Sequence, residues 1–131
     1  MDLLPLIFLP IVGIICVTLI IRAYFEIIII SGNSMYPTLK HGDFILIKKL
    51  LPIYKYKVGD IVVLPNPYNS KQLVVKRIVK TKVVIVGRNV EHLAWIEGDN
   101  SEVSQDSRNY GWINKNSIEG RLIKLWQRTK N

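Results

Sequence analysis

LVVKRIVK, residues 73–80, is the stretch that decides the fold. Lys76 and Arg77 interrupt a run of mostly β-branched apolar residues, which reads as a strand rather than a helix. The period-two alternation of strand side chains puts Lys76 on the same face as Val74 and Ile78 and turns Arg77 to the other face. Lys80-Thr81-Lys82 then leads straight into a further strand at Val83–Val86.

Outward from this stretch the same signature recurs. Glu26–Ile30, Phe44–Lys48, Ile61–Leu64, Leu73–Val79, Trp95–Glu97 and Gly120–Trp126 are rich in Ile, Val, Leu and aromatics. Turn residues separate them at His41-Gly-Asp, Val58-Gly-Asp, Pro65-Asn-Pro, Gly87-Arg-Asn and Gly98-Asp-Asn. No long segment after residue 22 keeps a 3.6 period, so the expectation is a mostly β fold, a coiled antiparallel sheet or barrel. A short helical turn is expected near Asn114–Ile118. Repeats, low-complexity tracts and long linkers are absent, so the chain after residue 22 is expected to fold as a single unit.

The front of the chain is different. Leu3 to Ile21, LLPLIFLPIVGIICVTLII, carries no charge and lies between Asp2 and Arg22. At about 1.5 Å per helical residue it reaches across the hydrocarbon of a bilayer. No small-residue cleavage pattern follows, and Arg22 and Glu26 stand where cleavage would fall. A retained transmembrane helix is therefore expected over a signal peptide or a buried core helix. Pro5, Pro10 and Gly13 are tolerable in such a span. Residues 1–22 are expected to be the anchor and 23–131 a separate domain. Arg22, the only Lys or Arg close to the span, by itself favours a cytoplasmic domain.

Formal net charge is +8, and every Lys and Arg lies beyond the uncharged run. Beside an anchor, attraction to anionic head groups accounts for this more simply than nucleic acid, at about 1 kcal/mol per basic residue near the surface. KKLLPIYKYK, residues 48–57, suits either an interfacial loop or an ordinary basic loop that packs its own apolar side chains. The single cysteine, Cys16, sits in the span, so neither an intrachain disulfide nor cysteine catalysis is expected. His41 and His92 form no metal-ligand cluster with acids or thiols, and no metal or cofactor is expected.

SGNSMYPTL, residues 31–39, ends a run of four isoleucines by presenting a hydroxyl. Ser34 either caps a structural turn or is a nucleophile that needs a base and oxyanion donors. His41 and His92 lie in loops, where a lone histidine is usually a surface residue. Lys76 interrupts an apolar strand, where desolvation disfavours the ammonium and lets a neutral amine accept the serine proton. Its bland alternative is to snorkel at a strand edge. Arg77 stays charged and cannot be the base. In GDNSEVSQDSRNYG, residues 98–111, a solvated turn would explain the composition. Ser104, Asp106 and Arg108 recur at spacing two, however, which on extended chain aims all three at one face.

SGNSMYPTL, GDFILI, VGDIVV, VVKRIV and GDNSEVSQDSRNYG, in that order behind an N-terminal span, resemble the type I signal peptidases, membrane-bound Ser/Lys proteases of peptidase family S26. The resemblance covers nearly the whole chain after Arg22. It implies Ser34 as nucleophile and Lys76 as general base, with Ser104 orienting the lysine amine. Asp106 and Arg108 match a supporting ion pair, and Gly98, Asp99 and Asn100 the loop that shapes the site. Gly32, Met35, Pro37 and Thr38 belong to the oxyanion and nucleophile turn. The substrate would be an extended signal peptide added beside the strands that bear serine and lysine, with small residues at positions −1 and −3. Ile30, Met35, Leu39 and Val75 are the implied pocket walls.

This sequence departs from the family in three respects. Gly32 stands where some relatives place a donor serine, so the oxyanion would rely on backbone N–H groups, chiefly that of Ser34. The inserted domain of larger members is missing, so the build resembles the short bacterial enzymes and the mitochondrial inner-membrane peptidases. The family's catalytic domain sits on the trans side of the membrane, against the vote of Arg22. A bacterial plasma membrane is the expected location, with the mitochondrial inner membrane as the alternative. Expected partners are signal peptides of pre-proteins and the phospholipid bilayer, with a second peptidase subunit in an organellar form. The competing non-enzyme reading is an anchored β domain with relic motifs that binds lipid or a protein partner. A self-cleaving regulator of the LexA type shares the dyad but would need a DNA-binding domain in place of the anchor.

Overall fold

A computed structural model describes residues 3–49 and 51–127. Met1, Asp2, Leu50 and residues 128–131, which belong to the expected anchor, basic loop and domain, lie outside the described residues. The uncharged run forms α1, Leu4–Tyr24, ending slightly beyond the expected Arg22. Pro5 falls in the first turn, where an N–H has no helical partner anyway. Pro10 is interior and removes one donor from the ladder. No residue of α1 is buried, and the helix is long and apolar enough to cross a membrane. A helix apolar all round suits lipid rather than water.

Seven strands follow: β1 (Phe25–Ile29), β2 (Phe44–Lys49), β3 (Ile61–Asn66), β4 (Asn69–Val86), β5 (Asn89–Glu97), β6 (Ile113–Asn114) and β7 (Gly120–Trp126). They form one sheet in the order β1-β2-β7-β3-β4-β5-β6, and every neighbouring pair is antiparallel. The mostly β expectation holds; the edges β1 and β6 do not pair, so the sheet stays open instead of closing into a barrel. The expected helical turn is the 3-10 turn Lys115–Ser117.

Two local expectations are corrected. Leu73–Val79 and Val83–Val86 are not separate strands but segments of β4, which passes through Lys80-Thr81-Lys82 with a register shift between Ile78 and Lys80. The lysines break nothing because they face solvent while β5 keeps pairing, and the Lys82 ammonium lies 4.2 Å from the Trp112 ring. Pro65 and Asn66 belong to β3, and the turn comes later, at Pro67 and Tyr68.

Val62 and Val63, successive residues of β3, face opposite ways. Val62 packs with Leu64, Ile78, Ala94, Ile96 and Tyr56, and Val63 with Ile30, Met35, Leu39, Ile45 and Ile47. The sheet thus carries a small core on each face, each buried aliphatic side chain contributing about 1.5–3 kcal/mol. In the basic loop Leu51 and Tyr56 pack on the first of these cores, so that segment buries its own apolar side chains.

Candidate active site

Ser34 sits in a loop whose neck continues the β1–β2 ladder. Ile30 N–H donates to the Asp43 carbonyl at 2.8 Å, and Gly42 N–H to the Ile30 carbonyl at 2.9 Å. One step further in, Gly32 adopts φ +90°, which favours glycine, and its N–H donates to His41 Nδ1 at 3.2 Å. Met35 and Leu39, four residues apart in a turn closed by Leu39 N–H on the Met35 carbonyl, are both buried. These two apolar anchors pin the loop to the core and leave Ser34 half-buried at its rim.

Lys76 is 3% exposed, flanked on its face of β4 by Val74 and Ile78 and paired across to Val62. Its Nζ donates to Ser104 Oγ at 2.9 Å, and Ser104 Oγ donates to Asp106 Oδ2 at 2.6 Å. Burial pushes the ammonium pKa below its ordinary value; the Asp106 charge opposes this and the Arg108 charge reinforces it. Asp106 is fully buried, and burial alone would raise its pKa. Hydrogen bonds from Arg108, Ser104 and the backbone N–H groups of Gly98 and Arg108 outweigh that and hold the carboxyl well below the usual range.

Gly98 joins the two halves. A Cβ there would fall closer than 3.0 Å to the Ser34 carbonyl on one side and the Ser104 hydroxyl on the other, both too close for any side chain. The backbone of the serine loop and the hydroxyl that holds the lysine therefore meet across one glycine. Asn100 completes the joint: its N–H donates to the Ser34 carbonyl at 2.9 Å and its side-chain amide to the Asn33 carbonyl at 3.1 Å. Among the described residues the Lys76 amine bonds Ser104 and not Ser34, and catalytic hydrogen bonds commonly tighten only with substrate bound.

A second ion pair braces the same joint from the other face of β4. Arg77 Nε and NH2 donate to the two oxygens of Asp99 at 2.9 and 2.7 Å, and NH1 donates to the Gly59 carbonyl at 3.0 Å. Thr38 Oγ1 donates to Asp99 Oδ2 at 2.6 Å. The bond from Arg77 holds the Asp99 carboxyl below its ordinary pKa against the opposing effect of burial, with Thr38 adding to it. One carboxylate thus ties the serine loop to the strand that carries the lysine.

Beside Ser34 opens a cavity of about 320 Å³ lined by Ile28, Ile30, Met35, Val63, Val75 and neighbouring backbone. It lies between two unpaired edges. β1 pairs with β2 alone, and β4 pairs with β5 only from Arg77 onward.

A family model described as signal peptidase, peptidase S26, matches residues 3–82. The mitochondrial inner membrane protease subunit 1 of Schizosaccharomyces pombe is 36% identical over 120 residues, covering 78% of this chain and 74% of that protein. Subunit 1 of Homo sapiens is 31% identical, covering 76% and 69%. Subunit 2 of Schizosaccharomyces pombe is 32% identical, covering 73% and 61%. This chain belongs to the peptidase S26 signal peptidase family. It is a serine-type membrane protease of the signal-peptidase kind, acting on the signal peptides of precursors.

Within this peptidase most expected site residues converge. Lys76, Ser104, Asp106, Arg108 and Gly98 form one hydrogen-bonded cluster, Asn100 bonds the Ser34 carbonyl, which lies against Gly98, and Ile30, Met35 and Val75 line the adjoining cavity. Pro37 lies in the turn and Gly32 in the neck. Two expectations are corrected. Leu39 does not line the cavity; it is fully buried in the core beneath the loop. Ser104, Asp106 and Arg108 do not share one extended segment, because Arg108 is helical. Asp106 is the N-cap of α2, Ser107–Tyr110, and its carboxylate gathers Ser104 before the helix and Arg108 within it.

Sequence reasoning missed Arg77 as a brace, although the period-two alternation that turned it away from Lys76 could have sent it to an acid such as Asp99. It also missed Ser107, whose buried hydroxyl accepts the Ile96 N–H at 2.9 Å and fixes α2 to β5. His41 bonds the Gly32 N–H, and His92 lies on β5 opposite Val83. Among the described residues no group of three or more His, Cys, Asp and Glu could hold a metal.

Proposed function

We propose that Ser34 is the nucleophile and Lys76 the general base of this peptidase. The carrying observation is the Lys76 amine, buried in apolar strand and held at 2.9 Å by Ser104, beside the loop that bears Ser34. The neutral amine takes the Ser34 proton as Oγ attacks the scissile carbonyl, and the resulting ammonium then protonates the leaving amine. Water repeats the sequence on the acyl-enzyme, with the same amine as base. Ser104 and Asp106 fix the amine, and Arg108 keeps the carboxylate ionised. The Ser34 N–H serves the oxyanion; that of Gly32 is engaged by His41 and does not.

The substrate is an extended signal-peptide segment laid between the free edges of β1 and β4, its small side chains filling the cavity lined by Ile30, Met35, Val63 and Val75. Residues 1–22 anchor the chain and 23–131 form the protease domain on the trans side. The matched relatives are named for the mitochondrial inner membrane, so we assign this peptidase to that membrane, the alternative location, rather than to a bacterial plasma membrane. Their names also make them subunits, which supports a second peptidase subunit here.

The purified full chain in detergent should cleave a model precursor after a small residue. Ser34→Ala and Lys76→Ala should each lower kcat by at least about 10³-fold, a loss comparable to that of other catalytic dyad members, with unchanged circular dichroism. Normal cleavage by Lys76→Ala would rule out the dyad.

A further inference from the structure

Lys115 is a buried cation that the protease chemistry does not use. It is 6% exposed, opens the 3-10 turn after β6, and donates from Nζ to the Tyr56 carbonyl at 3.0 Å. Among the described residues no carboxylate lies within ion-pair distance of it. An ammonium taken out of water with a single carbonyl partner is costly unless an anion completes its shell. Burial pushes its pKa down, and the more distant Asp60 charge only partly opposes this.

The amine borders a cavity of about 440 Å³, within the size range of small-ligand sites. Leu51, Ile53 and Ile118 supply apolar walls, and Lys49 a second ammonium that leans to Glu26 at 3.3 Å. Glu119 also borders the space and Glu26 already engages Lys49, so the charge preference rests chiefly on Lys115. Ala23, in the last turn of α1, closes it together with Tyr56 and Asn116. With α1 as the membrane anchor, on which this inference rests, the cavity opens where the chain leaves the hydrocarbon. Apolar walls, two ammonium groups and that level together match one ligand chemistry.

We propose that this cavity holds the phosphodiester head group of an anionic phospholipid, with Lys115 and Lys49 on its oxygens and the glycerol and first acyl carbons against Leu51 and Ile118. The site is separate from the Ser34 cavity and shares none of its lining.

The test uses the full chain reconstituted in nanodiscs or detergent with equal phosphatidylglycerol and phosphatidylcholine, and native mass spectrometry to count retained lipids. One phosphatidylglycerol should be retained in preference to phosphatidylcholine. Lys115→Met should lower that preference about five- to tenfold, the effect of about 1 kcal/mol or slightly more from one ammonium at a membrane surface. Lys49→Gln, at the half-buried rim, should lower it in the same direction, which keeps the test open if Lys115→Met folds poorly. Lys124→Gln, outside the cavity, and Ser34→Ala should both leave it unchanged, whatever becomes of the proteolytic mechanism. Equal retention of the two lipids by the unaltered chain, or a preference untouched by both cavity variants, would overturn the site. Displacement of the lipid by millimolar glycerol phosphate would overturn the lipid as its occupant. Failure of the chain to enter bilayers of either composition would overturn the anchor and the site with it.

Discussion

A single missing methyl group lets the serine loop and the lysine's hydroxyl partner meet. Gly98 is needed for the space it leaves, since its would-be Cβ meets the Ser34 carbonyl and the Ser104 hydroxyl at once. Gly98→Ala must push the serine loop away from the lysine, and overpacking of this kind costs about 1–3 kcal/mol. The expected result is a loss of kcat of at least about 100-fold, with a smaller loss of thermal stability in a melting curve. The charge around Lys76 makes a second prediction. The proposed base acts only when neutral, so activity should rise with pH through the Lys76 pKa, and its lowered pKa places that rise below 10.5. The Arg108 charge helps to lower it and also neutralises Asp106, whose charge raises it. Arg108→Gln removes both effects, which act in the same direction. The rising limb of the kcat–pH profile should move to higher pH, and a shift to lower pH would contradict the assigned roles.

At the scale of elements, the site exists because β4 is read from both sides. Lys76 turns inward to Ser104 and Arg77 outward to Asp99, and these two partners flank the same glycine-led turn after β5. The bidentate geometry of Arg77 on Asp99 also fixes Thr38, so strand, turn and serine loop move as one piece. Arg77→Lys keeps the charge but loses the planar fork. It should cost about 1–3 kcal/mol in denaturant unfolding and lower kcat more than it raises KM, because the loop that carries Ser34 loses its brace. Long β4 itself reflects continuous pairing with β5, which local sequence around Lys80-Thr81-Lys82 does not advertise: two lysines look like a break until a partner strand and the Trp112 ring give them places.

For the whole molecule, function is set against stability. A buried amine between Val74 and Ile78 is favoured neutral. Its lowered pKa means that the unfolded chain binds more protons between the folded and ordinary values, and stability rises with pH through that window. Lys76→Met removes this penalty with a side chain of similar length. It should raise unfolding free energy near neutral pH by about 1 kcal/mol while abolishing proteolysis, with the gain shrinking as pH approaches 10.5. A stability gain that stays constant to high pH would deny the amine its desolvated state. Asp106 works the other way, since its depressed pKa stabilises the fold above the ordinary carboxylate value of 3.8 and the contribution is lost as pH falls below it.

By itself the sequence determined the long apolar helix and most of the strands, and it supplied the hydroxyl and the amine on which the proposed mechanism rests. Each of these is local: an uncharged run long enough for hydrocarbon, short runs of β-branched residues bounded by turn signals, and a hydroxyl and an amine that interrupt apolar runs. Tertiary structure alone decided the rest. Leu39 is core rather than pocket wall because the loop folds it under β1 and β2, and Ser104, Asp106 and Arg108 converge through a helix cap rather than along a strand. Arg77 and Lys115 acquire their roles from residues 22 and 59 positions away in the chain, Asp99 and Tyr56. Such pairings depend on which strands lie side by side, and no local pattern of hydrophobicity carries that information.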